Sequence, residues 1–226
     1  MNHAIIFDCD GVLVDSEPVS CAAGVATLLE YGVQTDLAEI QTLIGKSYRE
    51  LLEHYGRRDG QVLDLPGFVG RVEENYFRMA GKLQASPGVA ELLEQLSRLR
   101  IPIAVASSGG YRKIEFSLEK TGLREFFPVI CSAVDVKRGK PEPDLFLYAA
   151  ERLGTGPGQC IVVEDSLYGV LAAKRAGMTA LGYSSSFPAA RLRETGADGV
   201  ISDFAEFFAA LEELNLRIAG PPGSDR

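Results

Sequence analysis

The stretch Ala4 to Glu17, AIIFDCDGVLVDSE, decides the reading of this chain. Four apolar or small residues run into Asp8, Asp10 follows two positions later, and Gly11 comes next. A short apolar run ending in acids and a glycine reads as a buried strand that delivers carboxylates to a loop at its C-terminal end. Open α/β sheets place their chemistry at that edge. Asp8 is therefore the expected centre of the molecule's chemistry, and the other segments are read by their relation to it.

From this strand outward, a helix is expected from about Pro18 to Tyr31, with Asp15 and Ser16 as possible N-caps and Gly32 as its stop. Residues 33–85 read as short helices at about 37–44, 48–55 and 68–80, with no convincing strand. From Pro87 onward the pattern alternates. Expected strands are IPIAVA (101–106), Val129-Ile130-Cys131, CIVVE (160–164), Thr179 to Tyr183 and Gly199 to Ile201. Helices at about 89–99, 111–121, 144–153, 167–176 and 204–214 lie among them. Such alternation predicts a doubly wound parallel sheet, an α/β Rossmann-like core, interrupted after its first strand by an all-helical insertion. The expected organisation is a core of residues 1–15 and 86–218, a helical domain at 16–85 and a flexible tail at 219–226.

Three further segments fall at the ends of apolar strands or beside that edge. Ser107-Ser108-Gly109-Gly110 precedes a helix and suits an anion such as phosphate, although in isolation a plain N-cap with a glycine turn explains it better. Lys140 precedes Pro141 and a helix start, where it could act as a fixed positive charge or simply be a surface lysine. Glu164 and Asp165 end a strand and could hold a hard cation, the alternative being helix capping by Asp165 beside a surface Glu164. Each alternative is adequate alone. Capping does not explain why two acids, a phosphate nest, a lysine and two more acids gather at one edge.

Composition narrows the class of function. The 226 residues are 46% hydrophobic and 24% charged, with a net charge of −8, as in a soluble globular protein. The acidic balance and lack of a basic stripe argue against nucleic-acid binding. No apolar run is long enough to span a bilayer, and the N-terminus lacks a charged region followed by an apolar one, so a cytoplasmic protein with no membrane partner is expected. Cys9, Cys21, Cys131 and Cys160 show no metal spacing and read as reduced, buried thiols. Cys9 is either an apolar spacer between the two acids or a reactive thiol.

The segments FDCDGVLVDSEP, VASSG, KPEPDLF and VVEDSLYGVLAAKRAG resemble, in order and approximate spacing, the four motifs of the haloacid dehalogenase superfamily. The likeness is to its phosphatases with a helical (C1-type) cap, on the β-phosphoglucomutase and phosphoglycolate phosphatase-like branch. It implies a Mg²⁺-dependent phosphomonoester hydrolase acting on a small phosphorylated metabolite such as a sugar phosphate. Asp8 would be the nucleophile and Asp10 the general acid and base. Ser107, Ser108, Gly109 and Lys140 would hold the phosphoryl group. Asp8, Asp10 (through its carbonyl), Asp165 and Glu164 (directly or through a water) would serve the metal. Ser16, Gly45, Lys46 and Arg49 would tune specificity from the cap. A monomer or weak homodimer is expected.

Two alternatives stay open. A hexose-phosphate mutase would use the same aspartyl phosphate, but the mutase-like members carry a histidine near Ser20 and an arginine near Tyr48, with Arg49 adjacent. A phospho-aspartate switch of receiver type would need no turnover, but receivers are shorter and lack the inserted helical segment.

Overall fold

The computed structural model describes residues 3–43, 48–60 and 64–216. The chain forms two compact units, one of Met1–Asp15 with Gln84–Arg226 and one of Ser16–Leu83.

The first unit is built on a six-stranded parallel sheet. Its strands are β1 (Ala4–Phe7), β4 (Ile103–Ser107), β5 (Val129–Ser132), β6 (Cys160–Glu164), β7 (Thr179–Tyr183) and β8 (Gly199–Ile201), in the order β5-β4-β1-β6-β7-β8. Every residue of β1, β4 and β6 is buried. This is why they read as continuous apolar runs: a parallel sheet is covered on both faces. Alternation persists within the burial. Ala4 and Ile6 join Ala106, Val162, Leu145 and Phe146 in the core of one face. Phe7 meets Phe127 edge-on, ring centroids 6.1 Å apart. The chain lays β4 and β5 to one side of β1, then returns through α7 (Asp144–Arg152) to lay β6, β7 and β8 on the other. That reversal makes β1 the switch point, where the loops at the C-terminal ends diverge and leave a crevice.

The remaining helices of this unit, α5 (Val89–Arg98), α6 (Tyr111–Lys120), α8 (Leu167–Arg175), α9 (Ala189–Thr195) and α10 (Phe207–Glu213), connect these strands or follow the last. Helix α9 is absent from the sequence expectation. It is seven residues long with Leu192 as its buried residue, too short for a periodic signal, and Gly196 at φ 111° ends it. The last helix is expected at 204–214; residues 204–206 instead form a 3-10 turn ahead of α10.

The second unit is helical: α1 (Glu17–Glu30), α2 (Leu37–Gln41), α3 (Tyr48–Asp59) and α4 (Leu65–Met79). Asp36 and Asp64 cap α2 and α4, accepting from the backbone N–H groups of Glu39 and Gly67 at 2.8 Å each. Helices α1 and α4 pack together, and the buried Asn75 amide donates to Thr27 Oγ1 at 2.9 Å and Glu30 Oε1 at 3.2 Å.

Two differences from the sequence expectation meet where the units join in sequence. Val14–Asp15 (β2) pairs antiparallel with Gln84–Ala85 (β3) inside the first unit, so the helical unit ends at Leu83 rather than at 85. A two-residue strand carries no period to detect. Ser16 precedes α1 without a side-chain capping bond, and Asp15 belongs to β2 rather than capping. The expected tail at 219–226 lies outside the described residues.

Candidate active site

Asp8 follows β1 directly, its N–H donating to the Val163 carbonyl at 3.0 Å and prolonging the ladder by one residue. The sheet thus fixes its backbone. Its side chain is buried, and Oδ1 accepts from Lys140 Nζ at 2.5 Å. Lys140 also donates to Glu164 Oε1 at 2.7 Å and to the Ala106 carbonyl at 3.2 Å, and its ammonium lies 4.9 Å from the centre of the Phe146 ring. An ammonium has three protons, and three protein oxygens accept them. Neither the surface-lysine reading nor the surface-Glu164 reading survives: the side chains of Lys140 and Glu164 are 6% and 1% exposed.

The charges here are unbalanced. Three buried carboxylates, Asp8, Glu164 and Asp165, share one buried ammonium. Burial pushes the Asp8 carboxyl up to about 7, with Lys140 opposing and Glu164 and Asp10 reinforcing. Asp165 is held well above the usual carboxylate range by burial and then by Glu164 and Asp8. Burial pulls the Lys140 ammonium down, but Asp8 and Glu164 more than reverse this, and the net direction is upward.

The loop after Asp8 is a tight turn. Leu13 and Val14 N–H groups both donate to the Cys9 carbonyl at 3.0 Å, and Gly11 N–H donates to Val14 O at 2.8 Å. Gly11 has φ 78°, and a Cβ there would lie 2.0 Å from Asp165 Oδ2, so two reasons demand glycine. Asp10 Oδ2 accepts from Lys113 Nζ at 2.8 Å. Cys9 is buried, and burial together with Asp10 and Asp8 drives its thiol well above its ordinary value, which favours the spacer reading over a reactive thiol.

Ser107 ends β4 and is buried; its Oγ accepts from Gly109 N–H at 3.1 Å, leaving its own proton to donate. Ser108 is exposed. Gly110 is the residue preceding α6 and no side chain caps that helix, an arrangement compatible with an anion site and with a plain glycine N-cap. Ser132 Oγ donates to the Gly109 carbonyl at 2.6 Å and ties this loop to β5. Ser166, not Asp165, caps α8, accepting from Gly169 N–H at 3.0 Å.

The set expected for a metal is Asp8, Asp10, Asp165 and Glu164. Glu164 Oε1 accepts from Lys140 and Oε2 from Ser166 N–H at 2.7 Å, one hydrogen bond on each oxygen. Among the described residues no three acid, histidine or cysteine side chains form a ready cation cage. Asp8, Asp165 and Glu164 are three buried, oxygen-donating carboxylates beside an excess of negative charge. That donor set fits a hard cation that keeps several of its waters, as Mg²⁺ does.

Of the residues expected to set specificity, Ser16 is buried at the start of the helical unit and Arg49 is exposed on α3. Gly45 and Lys46 lie outside the described residues. Sequence reasoning missed Lys113, Ser132, Ser185 and Ser186. Ser184-Ser185-Ser186 directly follows an apolar strand, the signal that singled out Asp8, and could have been found by it.

Residues 5–183 match the haloacid dehalogenase-like hydrolase family. Validoxylamine A 7'-phosphate phosphatase from Streptomyces hygroscopicus subsp. limoneus is 30% identical over 215 residues, which cover 91% of this chain and 96% of that protein. The phosphorylated carbohydrates phosphatase of Thermotoga maritima is 36% identical over 181 residues, covering 78% of this chain and 82% of its own. The crystal structure of a hydrolase from Pseudomonas syringae superposes with a TM-score of 0.82 at 30% identity, covering 94% of this chain and 99% of the other. With such matches over most of its length, the chain belongs to the haloacid dehalogenase-like hydrolase family, in the branch that these phosphatases populate.

Proposed function

We propose that this enzyme hydrolyses phosphomonoesters of small metabolites, sugar phosphates foremost, through a phosphorylated Asp8. One observation carries the reading: a carboxylate buried at the sheet's switch point, held by a buried lysine, on the strand next to the one that leads into the uncapped start of α6. In this reading Asp8 attacks phosphorus and Asp10 protonates the departing alkoxide. Asp10 then takes a proton from the water that cleaves the Asp8 phosphate. Ser107 donates its free proton to a phosphoryl oxygen, and the backbone at Ser108 and Gly109 supplies N–H groups.

Lys140 acts on both the nucleophile and the phosphoryl group. With its three protons on Asp8, Glu164 and Ala106 O, it favours the ionised nucleophile and offers the phosphoryl group a positive field rather than a free donor. Asp8, Asp165 and the Asp10 carbonyl would hold Mg²⁺, which when bound offsets the repulsion between carboxylate and phosphate and stabilises transition-state charge. We assign substrate choice to the helical unit acting as a cap, with Ser16 and Arg49 as its described candidates.

A mutase using the same intermediate is less supported, since both curated relatives described above are phosphatases. The test is a panel of phosphorylated metabolites incubated with enzyme and Mg²⁺. Inorganic phosphate without isomerised product supports the hydrolase, and isomerised product without phosphate overturns it. Sustained turnover of p-nitrophenyl phosphate rejects a stoichiometric switch.

A further inference from the structure

The loop after β7 carries Ser184, Ser185 and Ser186, which none of the four motifs includes. Ser184 anchors it: its N–H and its Oγ both donate to the Ile201 carbonyl, at 2.9 Å and 3.2 Å. The next two serines point the other way. Ser186 Oγ donates to Asp165 Oδ2. Ser185 Oγ lies 2.7 Å from the Gly11 carbonyl and 3.3 Å from that same Asp165 oxygen. A hydroxyl has one proton, so Ser185 gives its own to the nearer acceptor, Gly11, and Ser186 is the donor that holds Oδ2.

The reach of this loop is unusual for a connection between neighbours. In the order β1-β6-β7-β8 it starts at β7, is pinned to β8, and crosses β6 to grip the turn that follows β1. Asp165 Oδ2 is enclosed as a result. A Cβ on Gly11 would sit 2.0 Å from it and 3.2 Å from Ser186 Oγ. Among the described residues, the Ser186 and Ser185 hydroxyls both lie within hydrogen-bond distance of this one oxygen. The carboxylate is thus turned, with one oxygen committed to the serine loop and the other left for a different partner.

We propose that Ser186, seated by Ser184 and Ser185, is a positioning residue for cation binding: it fixes the rotation of Asp165 so that Oδ1 is presented to Mg²⁺. The inference rests on the metal reading under Proposed function. Without the Ser186 hydroxyl, the donor left near Oδ2 is Ser185 Oγ at 3.3 Å, which lies closer to the Gly11 carbonyl at 2.7 Å. Residues that orient a metal ligand in this way typically change affinity by about 10–100-fold.

The test is calorimetric titration of Mg²⁺ into the full chain, with the melting temperature in metal-free buffer recorded alongside. Ser186→Ala is expected to weaken Mg²⁺ binding by about 10–100-fold with little change in the metal-free melting temperature. Ser186→Cys, which keeps the size and loses most of the donor strength, should behave like Ser186→Ala. Ser186→Thr, which keeps the hydroxyl, should restore binding to within about threefold of wild type. Ala and Cys variants that bind Mg²⁺ as wild type does overturn the inference alone. So does a Thr variant as weak as Ser186→Ala, because the hydroxyl is then not the determinant. A wild type that binds no Mg²⁺ overturns the metal reading and this inference with it.

Discussion

Replacing the nucleophile should make the metal-free protein more stable, and by an amount that depends on pH. Asp8 is buried, and its carboxyl is raised from 3.8 to about 7, mainly by loss of hydration. The raised value means that the folded protein binds the Asp8 proton more tightly than the unfolded chain. The stability this contributes is fully present below about pH 4, falls as pH rises and is gone above about pH 7. A shift of about three units at about 1.4 kcal/mol per unit sets the upper limit near 4 kcal/mol. Asp8→Asn keeps the shape and removes the titration. In metal-free buffer it should equal wild type near pH 4 and exceed it by up to about 4 kcal/mol near pH 8. In a chain of this size that is a rise in melting temperature on the order of 10 °C. Differential scanning calorimetry over that range gives the comparison, and turnover should fall by on the order of 10⁴-fold or more in the same samples. The electrostatic reasoning fails if Asp8→Asn melts below wild type at pH 8 or if the difference is flat with pH. Retained turnover would sink the nucleophile assignment.

Three further outcomes follow from the same contacts. Lys140→Met strands Asp8 and Glu164 without a counter-charge and should cost about 3–5 kcal/mol near pH 8 and less near pH 5, read by urea denaturation; an unchanged midpoint would count against the buried triad. Gly169→Ala sets a methyl 1.8 Å from the Glu164 carboxylate, breaking its bonds to Lys140 and Ser166, and should destabilise by about 2–4 kcal/mol with at least a tenfold loss of turnover. A fully active Gly169→Ala would show that the Glu164 position is dispensable. Asp10→Asn should release one equivalent of p-nitrophenol from p-nitrophenyl phosphate as a burst and then stall, since that leaving group needs no proton whereas attack by water does. Linear release at the wild-type rate would remove Asp10 from the acid–base role.

The sheet was legible because its central strands are buried on both faces, so AIIF and CIVVE carry their state in composition alone. Asp8, Asp10, Ser107, Lys140 and Asp165 were legible for a related reason: each lies at the end of such a run or just before a helix. What escaped were contacts set by neighbours in space. Lys113 is marked by nothing local, and its role comes from α6 being laid beside the β1 turn, 103 residues away in sequence. Ser185 and Ser186 meet Gly11 and Asp165 through strand order, which a linear reading does not measure. Glu164 and Lys140 were read as separate features. Only the packed structure shows that they are halves of one pair.

That pairing gives a physical reason why the proposed site would use a cation as well as a lysine. A single ammonium among three buried carboxylates leaves an excess of negative charge, and an incoming phosphate adds more. At about 4 Å and an effective dielectric of about 20, each like-charge pair costs about 4 kcal/mol. The protons of Lys140 point at Asp8, Glu164 and Ala106 O. Its charge thus acts on the nucleophile, lowering a carboxyl that burial alone would raise further. The remaining imbalance falls on the face of Asp8 and Asp165 away from the lysine. There a cation would be stabilised in proportion to the destabilisation that the metal-free site carries. The residues that make the empty protein less stable at neutral pH are therefore the ones that would make the cation bind, and the pH dependence of the metal-free protein and its affinity for Mg²⁺ should change together in every variant that removes one of the three acids.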